Sequence, residues 1–232
     1  MEPFQRMVGD DGYEVMLFPL TGLYVSQGEN GSFSHQGILA IDFLGWYNNT
    51  RLYDAPMYAP CSCKCVATIS SSNHGRIFQS LNPVHTPNGL QYVTWVCMHD
   101  ENPIASVGSE FQQGEIFAHT GTYGPNVTGD HTHFNTAYGQ YAGWHQVPPA
   151  NHGELINSSH IYETCYVNDT DVTTHTGGYT WVEYQGGVTP TETKKHRFPW
   201  VLYARKLRSN RMSMQLVLEC QYIDILFYLC YL

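Results

Sequence analysis

One histidine and one aspartate in the first quarter of the chain are residue types that suit a metal ion. His35 lies where a polar loop meets the strand-like run 37–43, and Asp42 interrupts the apolar residues of that run. Burying a carboxylate in an apolar strand is costly unless a positive charge neutralises it, and imidazole and carboxylate groups are both zinc ligands. The pair therefore indicates a metal site, although an aspartate that caps a turn or pairs with an arginine would give the same pattern.

A second pair of histidines, His131 and His133, is separated by one residue. In a strand, alternate residues project from the same face about 6.6 Å apart, so both imidazoles would lie on one face and Thr132 on the other. One imidazole can bind a metal while the other lies beside the metal's water, but two solvated strand histidines would show the same spacing. Together with His35 and Asp42, the pair supplies three protein ligands and leaves a fourth position for water, as in catalytic zinc sites.

Short strands separated by turns must position these side chains. Gly, Asn and Asp are dense between residues 9 and 143, and no segment there has the period of an amphipathic helix. The intervening runs have the length and the β-branched or aromatic content of strands; they are 37–43, 57–60, 65–69, 92–98 and 131–135. His99 follows the run 92–98 and can reach a site assembled from neighbouring strands. The sequence thus predicts a mainly β fold built on an antiparallel β-sheet.

A change of composition after Trp144 divides the chain into three parts. Residues 1–145 are predicted to form the β domain that carries the candidate site, and residues 146–208 a C-terminal extension with too few apolar residues for a core of its own. Short strands are predicted in this extension at 161–162 and 179–184. Residues 209–232 are an apolar tail of unknown role. Glu219 and Asp224 interrupt its run 216–232, which is shorter than the roughly 20 residues of a spanning helix, so we expect no stable membrane span.

The charge balance argues against several classes of partner. The chain has 11 basic and 20 acidic residues and a formal net charge of −9, so no general cationic surface exists for nucleic acid or an anionic membrane. Charged residues make up only 13% of the sequence and aromatic residues 14%, which excludes coiled coils and long helical bundles. The first residues lack the basic start and apolar core of a secretory signal, so synthesis in the cytoplasm without a signal peptide is expected.

Seven cysteines, three of them crowded into Cys61, Cys63 and Cys65, do not form the pattern of a disulfide framework. In a strand these three thiols would face one way, and free cysteines are commonly small buried hydrophobes. Packing in the core, a structural metal held by thiolates and redox chemistry are the alternatives. Cys97 or Cys165 with a histidine would make a cysteine peptidase or amidase, although neither lies in a nucleophile motif.

Several motifs in a fixed order give the sequence a family resemblance over about residues 30–140. They are His-x6-Asp at 35–42, the run 55–60, the run 95–99 that ends in a histidine, the segment 114–121, and His-Thr-His-Phe at 131–134. With these motifs the sequence resembles the lysostaphin-like M23 family of zinc-dependent peptidoglycan endopeptidases, and in particular its bacteriophage endolysin members.

The resemblance implies a zinc metallo-endopeptidase that hydrolyses peptide bonds of bacterial peptidoglycan. Carried over position by position, it makes His35, Asp42 and His133 the zinc ligands and His99 and His131 the catalytic histidines. As a phage lysin, the protein would be made in the host cytoplasm and act at the cell wall after release or as part of a virion. The alternative is a non-catalytic cell-wall-binding or regulatory relative of the same fold, which should lack ligands that this chain retains.

Two features depart from the family pattern. Many members have three residues between the first histidine and the aspartate, whereas this chain has six, so we expect a bulged connecting loop. Thr132 replaces an apolar residue, and this replacement predicts slightly weaker packing behind the site.

Overall fold

The computed structural model describes residues 6–69, 72–125, 127–148, 152–166, 180–183, 203–208, 214–220 and 223–226. Within these ranges the secondary structure consists almost entirely of strands. In the first half of the chain they are β1 (Gly22–Gln27), β2 (Ala40–Tyr47), β3 (Thr50–Leu52), β4 (Pro56–Tyr58), β5 (Cys63–Thr68), β6 (Arg76–Ser80), β7 (Val84–Thr86), β8 (Gly89–Gln91), β9 (Val93–Cys97), β10 (Glu110–Phe111) and β11 (Ile116–His119). In the second half they are β12 (Thr132–Tyr138), β13 (Trp144–Val147), β14 (His152–Leu155), β15 (Ser158–Ser159), β16 (Thr180–Glu183), β17 (Tyr203–Arg208), β18 (Met214–Cys220) and β19 (Ile223–Leu226).

A short helix, α1, spans Ile161–Thr164. In the described ranges, no helix has the length and apolar character needed to cross a membrane.

One large antiparallel sheet dominates the fold. Its strands lie in the order β10-β5-β6-β9-β12-β2-β1-β16, with β15 paired to β12 and β3 paired to β2. Two-stranded pairs are formed by β4 with β11, β7 with β8 and β13 with β14, and β17, β18 and β19 form a three-stranded sheet. The pairings between these strands are antiparallel, and the prediction of a mainly β, antiparallel fold is confirmed.

The β2–β3 hairpin shows how local sequence sets a register. Its two-residue turn, Asn48-Asn49, has φ angles of 48° and 57°, the left-handed conformation that type I′ hairpin turns require and that asparagine tolerates. The turn makes Trp46 and Arg51 directly opposite partners. Gly45, the preceding residue of β2, lets the chain beyond β3 approach closely, because a Cβ there would overlap the side chain of Ala55.

Aromatic side chains in the main core orient the strands that carry the candidate site. The rings of Phe18, Phe43 and Phe134 are fully buried and have centroids 5.0 to 5.7 Å apart. Phe43 follows Asp42 by one residue, and Phe134 follows His133 by one residue. Successive strand residues point to opposite faces, so burying these two rings turns Asp42 and His133 to the other face of the sheet.

Residues beyond 145 contribute to this sheet and core. β15 pairs with β12 and β16 pairs with β1, while Ile161 and Cys165 belong to the main core. The boundary at residue 145 remains a prediction. Of the predicted tail, residues 209–213, 221–222 and 227–232 lie outside the described residues, and the role of the tail is likewise a prediction.

The two short strands predicted in the extension have different outcomes. A strand is present at Thr180–Glu183, within the predicted range 179–184. The strand predicted at 161–162 is wrong, because these residues begin α1. The carboxylate of Glu29 accepts a hydrogen bond from the backbone N–H of Ile161 at 3.1 Å, and this bond satisfies one of the donors that the start of a helix leaves open.

The cysteine cluster is part of the core. Cys61, Cys63 and Cys65 are fully buried and carry free thiols, as the core-packing interpretation expects. Burial raises the pKa of the Cys61, Cys63 and Cys97 thiols well above the ordinary value and that of Cys165 to about 12. These four thiols stay protonated at neutral pH, which disfavours a cysteine nucleophile. Among the described residues, no cysteine belongs to a group of three or more side chains with the spacing to hold a metal ion.

Candidate metal centre

Two side chains seven residues apart meet a third that lies more than 90 residues further along the chain. Nε2 of His35 lies 3.1 Å from Oδ1 of Asp42 and 3.2 Å from Nδ1 of His133, and the latter two atoms are 3.2 Å apart. A tetrahedral zinc ion with bonds of about 2.0–2.1 Å needs ligand atoms about 3.3 Å apart, so this nearly equilateral triangle fits one face of its coordination shell. Within the part of the chain that the structure describes, only this group of His, Cys, Asp and Glu side chains has the spacing to hold a metal ion.

The register of neighbouring strands sets two corners of this triangle. His133 in β12 and Asp42 in β2 are directly opposite partners, and such residues have Cβ atoms about 4.5–5.5 Å apart. His35 comes from the loop before β2, where its N–H donates to the carbonyl of Gly31 and its carbonyl accepts from the N–H of Ile38, both at 3.0 Å. Backbone hydrogen bonds on both sides of His35 therefore hold the start of the loop that leads to Asp42, for which the sequence predicted a bulge.

The hydrogen bonds around the triangle leave lone pairs directed into it. Nδ1 of His35 lies 3.0 Å from the carbonyl oxygen of Gly28, and since a carbonyl only accepts, this nitrogen carries the proton. In the neutral ring, Nε2 then presents a lone pair to Asp42 and His133. Two acceptors at this distance need a proton or a cation between them, and a metal ion satisfies all three atoms at once. The residues present therefore fit zinc.

The Asp42 carboxyl is ionised despite its partial burial. Burial disfavours its charged form, but the positive charge and hydrogen bonds that His35 and His133 offer when protonated outweigh burial and hold its pKa well below the ordinary value. A cation held between neutral rings would attract the carboxylate in the same way. The carboxylate is consequently negative at neutral pH, as a metal ligand must be.

Gln27 in β1 holds the second oxygen of this carboxylate. Its Nε2 donates to Oδ2 of Asp42 at 3.0 Å, and its Oε1 accepts hydrogen bonds from the backbone N–H groups of Phe33 and Ser34 at 3.1 and 2.9 Å. An irregularity between Val25 and Gln27 brings Gln27 opposite Asp42 in the β1–β2 ladder. Gln27 thus couples the orientation of Asp42 to the loop that carries His35.

Two further histidines, His99 and His131, each use Nδ1 to donate a hydrogen bond to a backbone carbonyl. The ring centroids of His99 and His131 are 4.7 Å apart. Nδ1 of His99 donates to the carbonyl of Tyr123 at 2.9 Å, and Nδ1 of His131 donates to the carbonyl of Gly129 at 2.7 Å. Because each Nδ1 carries the proton, each neutral ring keeps its Nε2 lone pair to accept another. Burial, reinforced by the charge of His131, lowers the pKa of His99 to about 4, so His99 is neutral at neutral pH.

The backbone at His99 adopts an uncommon conformation that its neighbours hold. Its φ is 80°, in a region that side chains with a Cβ rarely occupy. Its N–H donates to the carbonyl of Asn73 and its carbonyl accepts from the N–H of Tyr123, both at 2.9 Å. Gly121 exchanges two backbone hydrogen bonds of 2.9 Å with His131, and a Cβ on Gly121 would overlap the carbonyl oxygen of His99. Glycine at this position therefore allows the two histidine backbones to lie close together.

Thr132 supports the site through a hydrogen bond. The residue is fully buried, and its hydroxyl donates to the carbonyl of Met98 at 3.1 Å. The sequence predicted weaker packing here, but the hydroxyl has a partner and ties β12 to the segment that leads into His99.

One groove of about 1130 Å³ gives access to these groups. Asp42, His99, His131 and His133 all line it, while His35 is fully buried behind them. Its volume slightly exceeds the roughly 300–1,000 Å³ that ligand pockets span. Phe33, which is 82% exposed, lies on its wall, so the groove offers apolar as well as polar contacts.

The five residues singled out in the sequence lie in two adjacent groups, the triangle of His35, Asp42 and His133 and the pair of His99 and His131. Their division into ligands and catalysts remains a proposal. Sequence reasoning missed the contact of Gln27 with Asp42 and the close approach of His99 and His131 at Gly121. Turn-rich composition marks the stretch around Gly121, but no signal in the sequence marks either contact.

Comparisons with known proteins find similarity to curated proteins and to solved structures. No family model matches the sequence. Morphogenesis protein 1 of Bacillus phage B103 is 37% identical over 175 residues, which cover 75% of this chain and 45% of that protein. The chain therefore spans less than half the length of this relative.

Among solved structures, a zinc-containing peptidase from Vibrio cholerae is similar with 17% identity and a TM-score of 0.40, covering 57% of this chain and 43% of that one. The catalytic domain of the prophage-encoded M23 protein EnpA from Enterococcus faecalis is similar with 16% identity and a TM-score of 0.40. The similarity covers 56% of this chain and 90% of that one.

Replacing Gln27 with alanine should weaken zinc binding by about 10- to 100-fold, the usual effect of losing a hydrogen bond to a metal ligand. Affinity is measured by competition with a chelating dye. Gln146→Ala is the matched control, because Gln146 is exposed on the same groove. Equal affinities for Gln27→Ala and the wild type would show that Gln27 does not orient the Asp42 carboxylate.

Proposed function

We propose that this protein is a zinc metallo-endopeptidase that hydrolyses peptide bonds of bacterial peptidoglycan. The observation that carries the proposal is the triangle of His35 Nε2, Asp42 Oδ1 and His133 Nδ1, with edges of 3.1 to 3.2 Å, beside a groove. Three ligands from the protein leave one tetrahedral position for water or substrate, as a catalytic zinc site requires.

In this proposal His35, Asp42 and His133 hold the ion. When bound, zinc polarises a carbonyl group and lowers the pKa of its water towards neutrality. The carbonyl of Gly28 keeps the proton of His35 on Nδ1, and Gln27 keeps one oxygen of Asp42 directed at the site. Such outer hydrogen bonds fix the tautomer and direction of the ligands.

His99 and His131 would move protons during peptide hydrolysis. Their Nδ1–H groups are held by backbone carbonyls, so a proton taken from the attacking water is accepted at Nε2. The same atom, once protonated, can donate to the developing oxyanion or to the leaving amine. Neutral rings are ready for the first of these steps, and burial keeps His99 neutral by lowering its pKa to about 4.

The substrate and location rest on the sequence. The ordered motifs between residues 35 and 134 resemble those of peptidoglycan endopeptidases, which favours cross-linked stem peptides as the substrate. The similar protein of Bacillus phage B103 is a morphogenesis protein. That name favours action at the cell wall as part of a virion over action as a free lysin.

The proposal is tested by digesting purified peptidoglycan and identifying the new termini by mass spectrometry. We expect new amino and carboxyl termini within the peptide cross-links, loss of activity with a chelator, and recovery on adding zinc. Alkylation of thiols should leave the activity in place, because Cys61, Cys63, Cys65, Cys97 and Cys165 are buried and none belongs to the candidate site. Activity that survives chelation and is lost on alkylation would contradict the proposal, and so would full zinc occupancy without cleavage of any peptidoglycan type.

A further inference from the structure

Arg51 places a positive charge in the groove. Among the described residues that line the groove, it is the only lysine or arginine, in a chain whose formal net charge is −9. None of the ion pairs within the described ranges includes Arg51. No carboxylate of the described chain therefore lies within ion-pair distance of its guanidinium, although Asp42 and Asp130 line the same groove.

Several contacts hold the guanidinium in one place. Nη2 donates to the backbone carbonyl of Asp130 at 2.6 Å. The guanidinium carbon lies 5.0 Å from the ring centroid of Tyr53, within the range of a cation–π interaction. Gly129 leaves room for this arrangement, because a Cβ there would come within 3.1 Å of Nη2. The group is thus positioned before any ligand binds, which lowers the entropy lost on binding.

The folded chain does not use all of the donors of this group. A guanidinium has five N–H donors. Among the described residues, one Nη2 donor has a hydrogen-bond partner, and Nε is buried out of reach of a ligand, so the other donors on the two Nη atoms remain for an anion in the groove. The carboxylate of Asp130 is already engaged, because it accepts from the hydroxyl of Thr120 at 2.6 Å and from the N–H of Asp54 at 2.8 Å. An anion in the groove would therefore gain an attraction and hydrogen bonds that the protein itself does not satisfy.

The segment 129–131 connects Arg51 to the candidate catalytic histidines. The carbonyl of Asp130 accepts from Arg51, and the carbonyl of Gly129 accepts from Nδ1 of His131. A ligand group held by Arg51 would consequently lie close to the part of the groove where His131 acts.

We propose that Arg51 is a specificity-determining residue that binds a free carboxylate of the peptide substrate near the scissile bond. This inference rests on the proposed peptidase function and narrows its substrate to stem peptides with a free carboxylate beside the cross-link, as opposed to their amidated forms. Arginine suits this role because its planar donors match the two oxygens of a carboxylate.

The test uses two cross-linked stem peptides that differ only in whether the carboxylates beside the cross-link are free or converted to carboxamides. The wild type should cleave the carboxylate form with the higher kcat/KM. Arg51→Gln should lower kcat/KM on that form by about 10- to 100-fold, the range of a charged hydrogen bond, mainly through KM. The same substitution should change kcat/KM on the amidated form by no more than a factor of about three, and it should leave the zinc content unchanged. Lys64→Gln is the matched control. It removes the charge of a half-exposed side chain in β5 that pairs with Glu110 at 3.5 Å and does not line the groove.

A binding experiment distinguishes failure of this inference from failure of the proposed function. Binding of both peptides is measured by calorimetry in a His99→Ala background, with and without Arg51→Gln. A carboxylate preference in binding that Arg51→Gln abolishes, together with a wild-type protein that cleaves neither peptide, would support the anion site and overturn the peptidase proposal. Cleavage without any carboxylate preference would overturn the anion site and leave the peptidase proposal standing. If Arg51→Gln does not fold, Arg51→Met serves instead, because it also removes the charge and the donors while keeping an unbranched side chain, and an undiminished preference in that variant would equally overturn the inference.

Discussion

Asp42→Ala should leave the purified protein with far less zinc than the wild type, which we expect to bind about one ion per chain. Asp42 is the only anionic member of the triangle, and its pKa is held well below the ordinary value, so its loss removes the negative charge that offsets the ion. The loss in affinity should exceed the roughly 100-fold upper range for losing an outer hydrogen bond. Atomic absorption on dialysed protein measures the occupancy.

Thermal unfolding gives an independent measurement of the same centre. Zinc at about 1,000 times its Kd stabilises a protein that binds it only in the folded state by about 4 kcal/mol, so added zinc should raise the Tm of the wild type and not that of Asp42→Ala. Asp10→Ala, which alters an exposed carboxylate, serves as the control. Full zinc content in Asp42→Ala, or zinc that is lost on Cys63→Ser instead, would contradict the assignment of the site.

His99→Ala and His131→Ala should each keep zinc and the fold while losing at least about 100-fold in turnover, the usual contribution of a general acid or base. Their Nδ1 atoms bond to backbone carbonyls, and neither ring belongs to the triangle. His133→Ala should lose the metal itself, because Nδ1 of His133 is a corner of the triangle. Measuring both metal content and turnover on purified peptidoglycan distinguishes variants that lose proton transfer from the variant that loses the metal.

His145→Ala is the control for this series, since that imidazole is 51% exposed and pairs with Glu154 at 3.5 Å. An empty site in His131→Ala with zinc retained in His133→Ala would reverse the roles of the two histidines. If neither His99→Ala nor His131→Ala changed turnover, the proton-transfer roles would be wrong.

The strands and the candidate residues could be predicted because their signals are local. Runs such as 92–98 and 131–135 show strand composition between turns, and they correspond to β9 and β12. The failed strand at 161–162 shows the limit of such signals. Its residues form a helical turn because Glu29, more than 130 positions earlier, bonds to the N–H of Ile161 at 3.1 Å.

The side chains that support the site depend on which strands become neighbours. Gln27 contacts Asp42 only because an irregularity in β1 shifts the register by one residue. Gly121 matters because the backbones of His99 and His131 converge on it. Neither relationship has a period or spacing along the chain, so neither could be recognised in the sequence.

Residue type and spacing were sufficient to indicate a β fold and a group of zinc-type ligands, because strand periodicity and the chemistry of imidazole and carboxylate are local properties. The antiparallel pairing of β2 with β12 decided that Asp42 faces His133. The folded backbone also decided which imidazole nitrogen is available, since the carbonyls of Gly28, Tyr123 and Gly129 hold the protons of His35, His99 and His131. The geometry of the candidate metal site depends on the pairing of strands 91 residues apart, and the proton positions depend on the folded course of each loop, so both are set only when the chain folds.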